Sequence, residues 1–426
     1  MSTRHQPSQA TPEETGRAES AAPAPVGLLD RPLFDGLRLN WWHVALIGLA
    51  LFLLFTRFYD LGSRGFCHDE SIHAWESWKL ETGQGYRHNP VYHGPLLYHL
   101  TALVFAVFGD SDVTARLLTS LVGVLIALTP LLFRRWLGRW GTLAAIAFMA
   151  ISPVLMFRSR FIRHDHLAIL FNIIMGLAIL RYLAERKTRD LYWLAAALSL
   201  SLAGKETSFI TIFILGTFLF LYWASHWLRD RSLTWREMVA LPSFDLMIVI
   251  GTLILPFAAA FPIAILGGDP VDYNTGLVWK GLVLLAMFAI SALVGVLWDR
   301  RRWLVCAGIF WGIFLPLFTS LFTNPVEGFA TGTVGQLGYW LSQHGVARGD
   351  QPWYYYLFTM SLYEYLPVLV GAGGVVYYLR RGEPEALPQA VERPGAPPVP
   401  FVALFIYWSV VAFVAYSWAG EKMPWL

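Results

Sequence analysis

Runs of roughly 20 apolar residues recur from residue 41 almost to the end of the chain, and each is long enough to cross a bilayer as a helix. Inside hydrocarbon every backbone N–H and C=O must find an internal partner, which leaves helices or a closed barrel. The runs lie near 41–59, 114–133, 141–158, 166–183, 244–266, 277–297, 303–322, 356–379 and 401–418. A further run, 191–225, is too long for one span at about 1.5 Å per residue and is interrupted by Gly204, Lys205 and Glu206. Both its flanks are basic, with Arg186, Lys187 and Arg189 before it and Arg229, Arg231 and Arg236 after it. Both therefore lie on the same side, and the run is a hairpin of two spans. The expected fold is all-α, a polytopic membrane protein of about eleven transmembrane helices.

Composition agrees. Only 14 % of residues are charged and 56 % are hydrophobic, whereas a soluble domain carries about a quarter charged residues. No segment outside the runs is long enough to build a soluble core, and the net charge of +3 says little by itself, because in a membrane chain what matters is the side each Lys and Arg occupies; no nucleic-acid partner is expected. Cys67 and Cys306 are the only cysteines, the second inside an apolar run, so no disulfide framework is expected.

Orientation follows from the basic residues. With the N-terminus in the cytoplasm, 20 of the 32 Lys and Arg fall in the tail and the short inner loops, as in Arg134, Arg135 and Arg139 or Arg300, Arg301 and Arg302. The longer outer loops hold the remainder, which is the expected asymmetry. Residues 1–40, rich in Ser, Ala, Pro and Glu, read as a disordered cytoplasmic tail. Residues 41–426 read as the transmembrane domain and 381–400 as a Pro-rich cytoplasmic linker. The cell membrane is the expected location.

Three charged features then face outward. The loop 60–113 contains RGFCHDESIHAWESWKLETG, where Asp69, His73 and Glu76 share one helical face and Ile72, Trp75 and Trp78 can meet the bilayer. Taken alone, Asp69 reads as a helix N-cap with Glu70 in the first turn. That reading leaves His68, His73, Glu76, Tyr92 and His93 of the same loop unexplained. The following stretch offers about 14 apolar residues after Pro95, short for a span, so it is expected to lie in the interface. The second feature is MFRSRFIRHDH, residues 156–166. Arg158, Arg160 and Arg163 sit on the side that disfavours them, with Arg160 and Arg163 on one helical face. They either pair with Asp165 and the first loop's carboxylates or hold an anion such as phosphate. The third is AGKETSF at the hairpin turn. Its first leg, 191–203, is short for a membrane, so Lys205 and Glu206 are drawn below the surface, where ionisable groups mark function or close on each other as an ion pair.

The order of these features resembles the GT-C superfamily of integral-membrane glycosyltransferases, particularly the protein mannosyltransferase and aminoarabinose transferase branch. HDES carries that family's first-loop acidic pair at Asp69 and Glu70. HGPLLYHL and FGDSDVTARL match the interfacial segment and the start of the second span, and Asp165 matches the second acidic position. SRFIRHD, GKE and GEKMPW bring the chain nearest to the subgroup called flippase-activity-associated proteins of N-glycosylation. Members usually continue beyond the last motif, so a C-terminal truncation near Glu421 and Lys422 is an expectation.

The resemblance implies a polyprenyl-phosphate-linked sugar donor, a lipid, glycan or protein acceptor on the outer side, and inversion at the anomeric carbon. Asp69 would be the base and Glu70 would position the acceptor or a metal. Arg160, Arg163 and Lys205 would hold the donor phosphate, supported by His73, His93, Asp165 and Glu206. A divalent metal is left open, because His68, Asp69, Glu70 and Asp165 have suitable donors without a defining spacing. The rival reading is a transporter, flippase or accessory protein for lipid-linked sugars, which would need the cations but no base.

Overall fold

The computed structural model describes residues 32–34, 37–343, 351–382, 399–419 and 422. Most of the expected tail, the centre of the Pro-rich linker and Glu421 lie outside these residues. The chain divides into two compact units, 1–45 and 46–426. In the first, strands β1 (Pro32–Phe34) and β2 (Leu37–Asn40) pair as a short antiparallel hairpin, and the Asn40 side chain accepts from the His43 N–H at 3.2 Å.

The second unit is helical. Helix α1 (Trp41–Phe58), which begins at the end of the first unit, leads to α2 (His68–Glu81), α3 (Leu96–Phe108), α4 (Asp112–Leu128), α5 (Arg134–Ile151) and α6 (Pro153–Arg158). Next come α7 (Asp165–Glu185), α8 (Thr188–Gly204), α9 (Ser208–Arg229), α10 (Trp235–Val239), α11 (Pro242–Ile254), α12 (Ala260–Ile265) and α13 (Leu277–Phe318). The remainder are α14 (Pro325–Ala330), α15 (Gln336–Gln343), α16 (Tyr355–Tyr363), α17 (Tyr365–Arg381) and α18 (Phe401–Trp418). The chain is thus an all-α polytopic membrane protein.

Among the described residues, 7 helical stretches can cross a membrane by length and composition, or 8 if the bent pair α16 and α17 counts as one span. Two of the seven are far longer than a bilayer requires: Asp112–Ile151 with 40 residues and Leu277–Phe318 with 42. As straight helices at about 1.5 Å per residue each would measure roughly 60 Å. Both contain non-helical backbone at a basic stretch, at Gly138 (φ 66°) and at Asp299 (φ −160°, ψ 103°). Helix α8 falls just short of a span in length, and its break from α9 comes at Lys205, Glu206 and Thr207, where the sequence interrupts the apolar run.

The main core is apolar side chains of α3, α4, α7, α8, α9, α11, α13 and α18, with α7 and α8 in the most extensive contact. Polar groups staple the bundle at depth. Ser201 Oγ lies 2.5 Å from Asn172 Oδ1 and 2.6 Å from Ser208 Oγ, while Asn172 Nδ2 donates to Thr211 Oγ1 at 3.1 Å. Such side-chain bonds add to van der Waals packing between helices in lipid, where no hydrophobic driving force acts. Buried Asp245 is a second staple, accepting from Tyr182 Oη at 2.6 Å, Arg186 Nη2 at 2.9 Å and Trp298 Nε1 at 2.9 Å. It joins α7, α11 and α13 at the end of α7 remote from Asp165.

Candidate functional site

The site is assembled where α2, the segment 159–165 and the α8–α9 turn meet. Helix α2 starts because Cys67 is extended and Glu70 reaches back to the Cys67 N–H at 3.2 Å, the second half of a capping box. Cys67 is therefore the cap, and Asp69 lies in the first turn. This corrects the N-cap expectation. The helix N-terminus favours a negative charge there, and 39 % of the Asp69 side chain remains exposed.

Glu70 is fully buried. Its Oε1 accepts from Arg116 Nε at 2.9 Å and its Oε2 from Arg116 Nη2 at 3.0 Å. Arg116, also fully buried, donates further to the carbonyls of Leu61, Arg64 and Gly65. Glu70 therefore fastens α2 to α4, with both carboxylate oxygens committed to Arg116 and one also to the Cys67 N–H. Among the described residues no group of three His, Cys, Asp or Glu is placed to hold a metal ion.

The second segment begins where Ser152 caps α6 by accepting from the Leu155 N–H, with Pro153 at the first helical position and its fixed φ already suited to a helix. After α6 the chain turns, and residues 159–164 are not helical. Arg160 and Arg163 accordingly do not share a helical face. Arg160 Nη2 donates to the carbonyls of Tyr59 at 2.6 Å and Asp60 at 3.0 Å, which ties it to the end of α1 instead. Arg163 turns inward, donating from Nη1 to Asp69 Oδ2 at 2.5 Å and from Nε to Asp165 Oδ2 at 3.3 Å. Lys205, extended beyond the end of α8, donates from Nζ to Asp165 Oδ1 at 2.5 Å.

Asp69, Arg163, Asp165 and Lys205 thus form one chain of alternating charge drawn from three distant segments. Two carboxylates thus answer the two buried cations, while Arg160 of the same loop is held by backbone carbonyls. Lys205 and Glu206 do not pair with each other. Glu206, fully buried, lies 3.0 Å from His93 Nδ1 through Oε2, and its Oε1 has no partner among the described residues. Glu76 pairs with Lys79 at 2.8 Å, apart from the cluster.

Local backbone explains how the loop 60–113 reaches this point. Gly94 lies so close to α8 that a Cβ there would come within 2.2 Å of the Ala203 carbonyl. His93, immediately before it, takes φ 68° and ψ −168°, a region open to glycine almost alone and costly for other residues. The docked loop sets His93 beside His164, with ring centroids 5.3 Å apart, and His164 beside His73 at 4.6 Å and Tyr98 at 5.0 Å. Burial, reinforced by the neighbouring His93 and Arg163, lowers the His73 pKa to about 3. Burial also puts His164 well below its ordinary value, with His73 and His93 next in effect. Both imidazoles are neutral near pH 7.

Sequence reasoning missed the parts played by Arg116, Tyr98 and His164. A cation one turn inside an apolar helix was the available signal for Arg116. Nothing local marks Tyr98 or His164, whose meaning depends on what packs beside them.

Residues 92–250, somewhat over a third of the chain, match the profile of a family described as dolichyl-phosphate-mannose-protein mannosyltransferase. The matched segment contains His93, Arg163, Asp165, Lys205 and Glu206 and begins after Asp69. It supports the resemblance to GT-C glycosyltransferases. No curated protein matches the chain. One similar solved structure is described as the crystal structure of ArnT from Cupriavidus metallidurans bound to undecaprenyl phosphate. It shares 18 % identity over 88 % of this chain and 77 % of that one, with a TM-score of 0.34, an overlap too loose to argue from.

Proposed function

We propose that the chain is a membrane glycosyltransferase that moves a hexose or pentose from a polyprenyl-phosphate-linked donor to a lipid, glycan or protein acceptor. The observation that carries this reading is the convergence of Asp69, Arg163, Asp165 and Lys205 at the end of a bundle of apolar helices. Buried charges at such a place are costly and signal function. The family described at residues 92–250 is named for a dolichyl-phosphate sugar, which supports the same class of donor. The subgroup of flippase-activity-associated proteins belongs to this proposal, as do eleven spans, an N-terminus in the cytoplasm, residues 1–40 as a tail, the outer loop 60–113 and a site on the outer face of the cell membrane.

In the mechanism the acceptor hydroxyl attacks the anomeric carbon, its proton passes to Asp69, and the bond from that carbon to the phosphate oxygen breaks with inversion. The leaving polyprenyl phosphate takes the electron pair, and Arg163 and Lys205 stabilise the charge it gains. Without substrate, Arg163 is occupied by Asp69. An incoming phosphodiester carries one negative charge, as does the carboxylate it would replace, so the exchange preserves neutrality around a cation that is only 9 % exposed. Asp69, the more exposed partner, is released toward the acceptor as a free base. Donor binding thus prepares the base. His93 and Glu206 brace the wall of the site, and Glu70 with Arg116 fixes the helix that carries Asp69.

The test is Asp69→Asn in purified full-length protein supplied with radiolabelled undecaprenyl-phosphate-mannose and a cell-envelope extract as acceptor. Transfer should fall by about 10² or more while affinity for the lipid and thermal stability hold. Near-normal transfer would sink the assignment of Asp69. Movement of the sugar lipid across proteoliposomes that survives Asp69→Asn but fails with Arg163→Ala or Lys205→Ala would favour a transporter.

A further inference from the structure

His73 lies one helical turn after Asp69 on the same face of α2 and is 5 % exposed. Its Nδ1 is 3.1 Å from Tyr98 Oη, and Tyr98 Oη in turn donates to the Tyr92 carbonyl at 2.6 Å. The phenol has a single proton, and a carbonyl can only accept. The proton between Tyr98 and His73 must therefore come from the imidazole. Tyr98 is 1 % exposed, and burial raises its pKa well above the ordinary value, so it does not ionise to escape this arrangement. A neutral histidine carries one N–H. With that N–H at Nδ1, the lone pair is at Nε2, which bonds to no protein group among the described residues.

The groups around this ring are His93, Arg163, Asp165, Lys205, His164 and Tyr98. The cations on that roll are committed to carboxylates, and protonation of His73 beside them is disfavoured. What the site holds at His73 is a fixed, uncharged hydrogen-bond acceptor beside its ion-pair chain.

Building on the transferase reading, we propose that His73 contacts substrate directly, with Nε2 accepting a hydrogen bond from a hydroxyl of the bound sugar or of the acceptor. The Tyr92–Tyr98–His73 chain sets the tautomer that makes this possible. Above its second pKa of about 6 the phosphate of bare polyprenyl phosphate is ionised and has no hydroxyl to offer at that point, so at pH 8 His73 discriminates the sugar-bearing lipid or its acceptor from it.

The experiment compares wild type with His73→Phe, His73→Gln and Tyr98→Phe in nanodiscs. Affinity is measured for undecaprenyl phosphate and for undecaprenyl-phosphate-mannose, and transfer to the envelope extract is measured beside them. His73→Phe should leave undecaprenyl phosphate affinity unchanged. If the sugar is the partner, affinity for the mannosyl lipid falls about tenfold; if the acceptor is the partner, lipid affinity holds and transfer falls about tenfold, each the scale of one hydrogen bond. His73→Gln, which restores an acceptor atom near Nε2, should recover most of the loss. Tyr98→Phe keeps the ring but frees the tautomer and should lose several-fold in the same readout. If His73→Phe fails to fold, the Gln and Tyr98 variants decide the matter together with ¹⁵N spectra of the wild-type histidine, which should show an Nδ1–H. Unchanged lipid affinity and transfer in His73→Phe would overturn the proposal. So would an Nε2–H tautomer, or equal loss of affinity for both lipids. Wild type that binds the mannosyl lipid but transfers nothing would refute the transferase reading instead, while the affinity comparison would still judge His73.

Discussion

Glu70 and Arg116 offer the sharpest test of how this site is held. Both side chains are 0 % exposed and paired through two hydrogen bonds, so solvent screening does not dilute their interaction. Glu70→Gln keeps shape and one acceptor but leaves Arg116 as a buried cation facing three carbonyls, of Leu61, Arg64 and Gly65. Breaking a buried pair from one side costs about 3–5 kcal/mol, and Glu70→Gln should reach that range. Arg116→Met should cost somewhat less, because Glu70 retains the Cys67 N–H at 3.2 Å and Arg64 at 3.4 Å. The double variant removes both charges together and should be more stable than the sum of the single losses implies, by about 2 kcal/mol or more, as coupled neighbours do. Reversible unfolding of the purified protein in mixed detergent, read by tryptophan fluorescence, measures all four corners of the cycle. Single variants as stable as wild type, or losses that simply add, would refute the view that Glu70 is a structural clamp for α2. Lipid transfer should fall in both single variants without a change in its pH dependence, because the clamp holds the neighbour of Asp69 and handles no proton.

Arg163→Ala and Lys205→Ala should each weaken binding of undecaprenyl phosphate about tenfold or more, the scale of a charge-assisted hydrogen bond; instability with unchanged affinity would show that these cations serve only Asp69 and Asp165. In a background with Cys67 replaced, Gln84→Cys should react with an impermeant thiol reagent on intact cells and Arg301→Cys should not, and the reverse pattern would invert the orientation. Stability should also fall with acid. His73 and His88, whose folded pKa values are lowered by burial to about 3 and about 4, bind protons more readily once unfolded, so stability is full above about pH 6.5 and drops as pH falls toward 4, by up to about 1.4 kcal/mol per unit for each histidine. Unfolding at pH 7.5, 6 and 5 checks this, and a flat profile would mean that these histidines are charged or solvated in the folded protein.

The sequence by itself determined that the chain is a bundle of apolar helices, because runs of that length and polarity have no other stable state in lipid. It also placed the interruption at Gly204, Lys205 and Glu206, marked Arg163, Asp165 and Lys205 as charges beside or within apolar runs, and marked Asp69 as part of a charged stretch in an otherwise apolar chain. Partner choice was not legible. Asp69 and Glu70 are adjacent and chemically alike, yet one faces Arg163 and the exposed side while the other disappears into Arg116. Successive residues of a helix point about 100° apart, so packing, not composition, decides which of them is free. Arg160 and Arg163 diverged for a related reason: their helical spacing has meaning only on a helix, and the chain leaves helical geometry after Arg158. His73 is the limiting case. Its residue type predicts a group that titrates near neutrality, and only the tertiary structure, by burying it against His164 and committing its N–H to Tyr98, makes it a neutral acceptor with one lone pair to give.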